Sequence, residues 1–144
     1  MTSPEDVIGV FVTYSVDDAT HLAIRVADDG VSRMGTGDLR VRDGRMYIGM
    51  TEDSLLVPLR ARIPEHWFDH LGVYEASDRK GKRCELRITM MHEGGAESHM
   101  VFLYGTESMA PSKEIMDFVE AAVETTEAWY QHAVRRSREQ AQDG

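Results

Sequence analysis

His66 and His70 stand four residues apart in the segment PEHWFDHLG, a spacing that brings two imidazoles to one side of a helix and offers two ligands for zinc. A third ligand would have to come from elsewhere in the chain, and there is no HExxH signature, so no metal and no cofactor is expected. His92 and His99 flank a turn and can face each other across a hairpin, again as a pair without a third donor. Cys84 is the single cysteine, which excludes an internal disulfide. It alternates with Leu86 and Ile88 as a small buried hydrophobe, and no neighbour in sequence would lower its thiol pKa. Gly35-Thr36-Gly37-Asp38 has the composition of a phosphate cradle, but a cradle needs a helix directly after it. The pattern that follows, Leu39–Val41, predicts a short strand instead, and the glycines read as a loop. No serine lies in a GxSxG context, and no pair of carboxylates is singled out by an apolar setting. No catalytic residue is named by these features. An enzyme would require a pocket assembled from distant segments.

Two features point to binding. Arg79, Lys80, Lys82 and Arg83 form the densest basic cluster in a chain whose formal net charge is −9. They read as a solvated hairpin tip or as a contact for an anionic partner surface. The overall charge opposes bulk nucleic-acid binding, which works by neutralising phosphates with Lys and Arg, and it opposes adsorption to an anionic membrane. The second feature is the number of methionines, nine. Most alternate along strands and fill core gaps, whereas Met34 and Met109 fall in loops, where they offer an adaptable surface.

The elements that position these residues follow from periodicity. A hydrophobic fraction of 42% and a charged fraction of 28% are those of a soluble globular chain. No apolar run reaches the roughly 20 residues of a membrane span, and MTSPEDVIG is not a secretory signal. These features predict one cytoplasmic domain over 1–144, with 1–5 and 139–144 as flexible tails. Val7–Val16 alternates as a strand, with Ile8, Val10, Val12, Tyr14 and Val16 on one face. Asp17-Asp18-Ala19 turns it into a second strand carrying Leu22, Ile24 and Val26. Asp43-Gly44 signals a hairpin between Leu39–Val41 and Arg45–Met50, and Glu52-Asp53 the next turn. Leu55, Val57, Leu59, Ala61 and Ile63 alternate as an edge strand that tolerates Pro58. Pro64–Gly72 is a short helical turn and Val73–Ala76 a strand piece. Lys82–Met91 and Glu97–Tyr104 are two hairpin strands joined through Gly94-Gly95.

The chain closes with its only long helical pattern, from Pro111 to about Arg138. Ser112 is the expected N-cap. Ile115, Met116, Val119, Val123, Thr126, Tyr130, Ala133 and Val134 form one stripe, with Phe118, Ala122 and Trp129 on its shoulder. Asp117, Glu120, Glu124 and Glu127 are expected to face water, and Arg135, Arg136 and Arg138 to lie in the last turns. Such a helix extends roughly 40 Å, whereas strands of five or six residues cover about 20–25 Å. The distal half is therefore expected to need another chain, and Phe118, Trp129, Tyr130, Ala133 and Val134 are the candidate partner-binding residues.

Together these elements predict an α+β fold. It comprises about seven antiparallel strands forming a bent barrel or sandwich, one short helix near 65–71, and a long C-terminal amphipathic helix over 112–138 packed on the sheet. From Arg45 onward the order SLLVPLRARIP, WFDHLG, KRCELRITM, SHMVFLYG and SKEIMDFVEAAV resembles the pleckstrin-homology-like superfamily, over about two-thirds of the chain. The resemblance implies a bent, partly open barrel that binds peptides, proteins or phospholipid headgroups. Headgroup-binding members carry basic residues between their first two strands. Here that loop reads VDDAT, so phosphoinositide binding is not expected. The expected function is a non-catalytic protein-interaction or adaptor domain, homodimeric through its C-terminal helix. The alternative is a small acidic inhibitor, of the immunity or antitoxin type, that binds a basic partner. An enzyme is the third reading.

Overall fold

A computed structural model describes residues 3–51 and 54–143. The expected turn at Glu52-Asp53 and the outermost tail residues 1–2 and 144 lie outside the described residues. The chain forms an open, mixed sheet of seven strands with helices on one face, an α+β architecture. It is neither closed into a barrel nor doubled into a sandwich.

β1 (Val7–Val16) and β2 (Ala19–Ala27) pair antiparallel about Asp17 and Asp18. Both aspartates are left-handed, with φ of 48° and 68°, as a tight hairpin with right-handed strand twist requires. β3 (Gly30–Met34) pairs with β2 and β4 (Met46–Gly49) with β3, both antiparallel. This corrects two expectations. The residues before the glycine doublet are a strand, and Leu39–Val41 belongs to the loop joining β3 to β4. Asp43-Gly44 sits in that same long loop.

The third correction is larger. Leu56–Arg60 is a short helix, α1, where alternation predicted a strand. Leu55, Leu56, Leu59 and Ile63 also fit a helical period, and that period places Leu56, Leu59 and Ile63 in the core while Val57 stays 53% exposed. Pro58 lies in the first turn, where its missing N–H removes no helical hydrogen bond. A 3-10 turn over Glu65–Asp69 follows, close to the expected short helix, and buries Trp67. β5 (Gly72–Glu75) then pairs with β7 in parallel, so the sheet is not wholly antiparallel. β6 (Arg83–His92) and β7 (Glu97–Gly105) form the expected hairpin through Gly94 and Gly95. The sheet order is β4-β3-β2-β1-β6-β7-β5. The basic segment 79–83 is thus no hairpin tip. It carries the chain from the β5 edge past β7 to β6.

α2 (Lys113–Asp143) lies over the sheet. Ser112 caps it, its Oγ accepting from the Ile115 N–H at 3.5 Å. Ile115, Phe118, Val119, Ala121 and Ala122 are buried in one core with Val10, Val12, Leu22, Ile24, Leu86 and Ile88. α1 packs on β1 and α2 within the same layer. On the opposite face of the sheet Phe11, Thr13, Arg25, Arg87 and Met91 remain half-buried or exposed, as an antiparallel sheet with one covered face allows. No helix among the described residues is long and apolar enough to cross a membrane.

Candidate functional site

The position of α2 is set by a residue that periodicity does not single out. Arg33, on β3, is completely buried and is the largest fully buried side chain. Its Nε donates to the Gly35 carbonyl at 3.1 Å and its Nη2 to the Thr36 carbonyl at 2.9 Å. Its Nη1 donates to the Val123 carbonyl and to Thr126 Oγ1, each at 3.1 Å. The same nitrogen lies 2.8 Å from Glu127 Oε2, and the guanidinium carbon sits 4.0 Å from the centre of the Tyr130 ring. Glu127 therefore turns toward the sheet rather than wholly to water. Burial pushes its carboxyl pKa up, but Gln131 and Arg33 outweigh that and hold it below the ordinary glutamate value.

The glycine doublet serves the same junction. Gly35 and Gly37 both have positive φ. A Cβ on Gly35 would lie 2.3 Å from the His21 carbonyl oxygen, and one on Gly37 would lie 2.7 Å from Val123. The loop is free of side-chain bulk so that β2 and α2 can close on it, and its two carbonyls receive Arg33.

From this junction α2 proceeds to the sheet edge. Tyr47 of β4 meets Tyr130 edge-on at 5.7 Å. A Cβ on Gly49 would lie 3.3 Å from Trp129 Cζ2, so glycine there lets the indole rest on the strand. Beyond, a groove of about 550 Å³ runs between β4 and the distal helix, with walls that include Gly49, Met50, Leu55, Trp129, Ala133 and Arg136. β4 ends the sheet and pairs only with β3 among the described residues. Its flank is apolar and open: Ile48 is 81% exposed and Met50 78%. A smaller recess of about 290 Å³ lies at the opposite edge, beneath Tyr74, Phe102 and Met109.

The candidate partner residues thus separate. Phe118 is buried, its ring 5.0 Å from that of Trp67, and Tyr130 is buried between Arg33 and Tyr47. Trp129 and Ala133 are half-buried on the groove, and Val134 is half-buried outside it. Part of the apolar helix surface expected to need a second chain is therefore covered by this one. The reason is direction. α2 crosses the strands, so the floor it meets is set by seven strands about 4.8 Å apart, about 29 Å in all, and not by the length of one strand. The helix is also longer than its pattern suggested, at 31 residues or about 46 Å. Arg135, Arg136 and Arg138 lie short of its end.

The basic cluster is largely paired. Arg79 meets Glu75 at 3.2 Å, Lys80 meets Asp78 at 3.7 Å and Arg83 meets Asp18 at 3.0 Å. Lys82 alone of the four forms no ion pair among the described residues. His66 and His70 do come together, their rings 6.5 Å apart, but His66 Nε2 is 2.7 Å from Glu114 Oε1. The same oxygen accepts from Trp67 Nε1 at 2.6 Å, and this bond, with His66, holds the Glu114 carboxyl below the ordinary range. No trio of His, Cys, Asp or Glu among the described residues is arranged to hold a metal ion. Cys84 is buried and accepts from the Tyr14 hydroxyl at 3.3 Å. Burial, and then the neighbouring Cys84, push the Tyr104 hydroxyl from 10.0 up to about 12.

What sequence reasoning missed here is Arg33 and β4 as an edge. A lone arginine inside an alternating segment, followed at once by glycines, is the one local signal for the first. The second follows only from strand order. No family model, curated protein or solved structure matches the chain.

Proposed function

We propose that this chain is a non-catalytic protein-interaction domain that self-associates as a homodimer through the β4 edge and the distal half of α2. The observation that supports it is that α2 reaches the last strand at Trp129 and continues to Asp143 beside an open edge whose Ile48 and Met50 are left in water. The remaining 14 residues add about 21 Å of helix.

A second copy fits this surface. Along α2, Glu120, Glu124 and Glu127 precede Arg135, Arg136 and Arg138. Two such helices passing antiparallel set unlike charges opposite one another, and parallel passage sets like charges together. Energetics require both elements. Fully burying an Ile or Met side chain contributes about 1.5–3 kcal/mol, so four such side chains across a two-fold contribute about 6–12 kcal/mol. Association costs on the order of 4–15 kcal/mol. The strand edge alone only balances that cost, and the helices must add contact area.

The test is sedimentation of wild type and Ile48→Glu over a range of concentrations. Wild type is expected to be dimeric. The variant is expected to be monomeric and still folded, because the substituted side chain lies in solvent within one chain, with a Tm lowered only by the lost association. A wild type that stays monomeric at high concentration overturns the proposal.

The net charge of −9 favours a second reading, an acidic inhibitor that captures a basic partner. Its association rate with a basic protein would fall steeply with added salt, whereas the apolar self-contact would persist.

A further inference from the structure

The self-association proposed above leaves open which groups meet at the two-fold. We infer that the β4 strands of two copies pair antiparallel with each other, joining the two seven-stranded sheets into one continuous sheet. This rests on the dimer reading and adds its geometry.

Among the described residues β4 has no strand partner for the main-chain N–H and C=O groups on its outer side, and such groups recruit another strand unless the edge is blunted. Though only four residues long, Met46–Gly49 contains no proline and no charged residue, two of the usual means of blunting an edge. The strand pairs with β3 residue for residue from Met46↔Met34 to Gly49↔Val31, so no bulge turns its edge away. Its alternation also suits a two-fold. Tyr47 and Gly49 point to the α2 side, against Tyr130 and Trp129, while Met46 and Ile48 point to the other face. A two-fold axis normal to the sheet and midway between the two β4 strands, just beyond the outer edge of each, sets Met46 and Ile48 of one copy beside those of the other. It also keeps both α2 helices on one face. Each overhanging helix then lies above the partner's sheet, which supplies the floor missing beneath its own last turns. The helices pass antiparallel, as their charge order favours.

The pairing is read by disulfide trapping. Directly opposed residues of antiparallel strands have Cα atoms about 4.5–5.5 Å apart, within the range a disulfide spans. The native Cys84 is only 3% exposed and does not compete. Ile48→Cys, Met46→Cys and the double variant Met46→Cys/Ile48→Cys, which covers the register that opposes Met46 to Ile48, are oxidised under mild conditions beside Val73→Cys, a control that is 63% exposed on the β5 edge. At about 10 μM protein, at least one β4 position should form covalent dimer about 100-fold faster than the control, since a paired site sees an effective concentration near mM. Covalent dimer from none of the three β4 variants, in a protein that sediments as a dimer, overturns the strand pairing and leaves the dimer reading intact. A monomeric wild type overturns both. Equal trapping at Val73→Cys marks random collision and also refutes the pairing.

Discussion

Arg33→Met is the perturbation that bears most directly on why α2 lies where it does. Methionine retains an apolar stem of similar length and removes the guanidinium. Four hydrogen bonds are lost, together with the contact to Glu127 and the stacking on Tyr130. The losses are unequal. The Val123 carbonyl retains its place in the helical ladder, and Thr126 Oγ1 still donates to the Ala122 carbonyl at 2.8 Å. The Gly35 and Thr36 carbonyls accept no other hydrogen bond that the structure shows; Thr36 is exposed and can turn to water, whereas Gly35 is buried, and a buried polar group left unsatisfied costs about 1–3 kcal/mol. The Glu127 side chain is 41% exposed as a whole, but the Oε2 that faces Arg33 is itself buried and accepts no hydrogen bond, so losing the guanidinium leaves it without a partner. The Gly35 carbonyl and Glu127 Oε2, two buried groups left without a partner, therefore set the scale at about 2–6 kcal/mol, which apolar packing of the methionine offsets in part. A net loss of about 3 kcal/mol lowers Tm by roughly 10 °C in a domain of this size. Urea unfolding followed by tryptophan fluorescence measures it, with Glu127→Gln as the partner for a double-mutant cycle. Arg33→Met should shift the midpoint strongly, and Glu127→Gln by less than about 1 kcal/mol. If Arg33→Met unfolds within about 0.5 kcal/mol of wild type, the range of ordinary surface changes, Arg33 does not anchor the helix and the account of the junction fails.

Other expectations concern the loop and the tyrosines. Gly35→Ala sets a Cβ against the His21 carbonyl at a residue with φ of 104° and should cost several kcal/mol, whereas Gly44→Ala, with nothing within 4 Å, should change stability by less than about 1 kcal/mol. Chemical denaturation of the two variants side by side checks the contrast, and equal effects would refute the close-approach reading. Tyr104 is harder to ionise folded than unfolded, so the stability it contributes is present below 10.0 and is lost as pH rises through about 12. Absorbance titration should show Tyr104 ionising late or only with unfolding, and Tyr104→Phe should flatten the decline in stability over that window. A Tyr104→Phe protein with an unchanged alkaline profile would count against it.

What local patterning determined was the elements whose neighbours in space are also neighbours in sequence. β1 with β2, and β6 with β7, follow from alternation and turn chemistry at Asp17-Asp18 and Gly94-Gly95. The capped start and buried stripe of α2 follow from a single helical period. Segment 55–63 defeated that method because a short apolar run satisfies two periods at once, and only the core that receives Leu56, Leu59 and Ile63 chooses between them. β5 was legible as a strand, but its parallel pairing was not, since β7 lies far along the chain. The same non-locality hid the candidate site. Trp129 and Ala133 were visible as apolar residues on a long helix, but which strand lies beneath them depends on sheet order and on the direction α2 takes across it. That direction is decided at Arg33, where one buried guanidinium ties β3, the Gly35–Gly37 loop and α2 together. Residues 90 and more positions apart meet there, a separation over which no sequence period carries information. Tertiary structure also left β4 at the edge, with Ile48 and Met50 in water beside the overhanging helix.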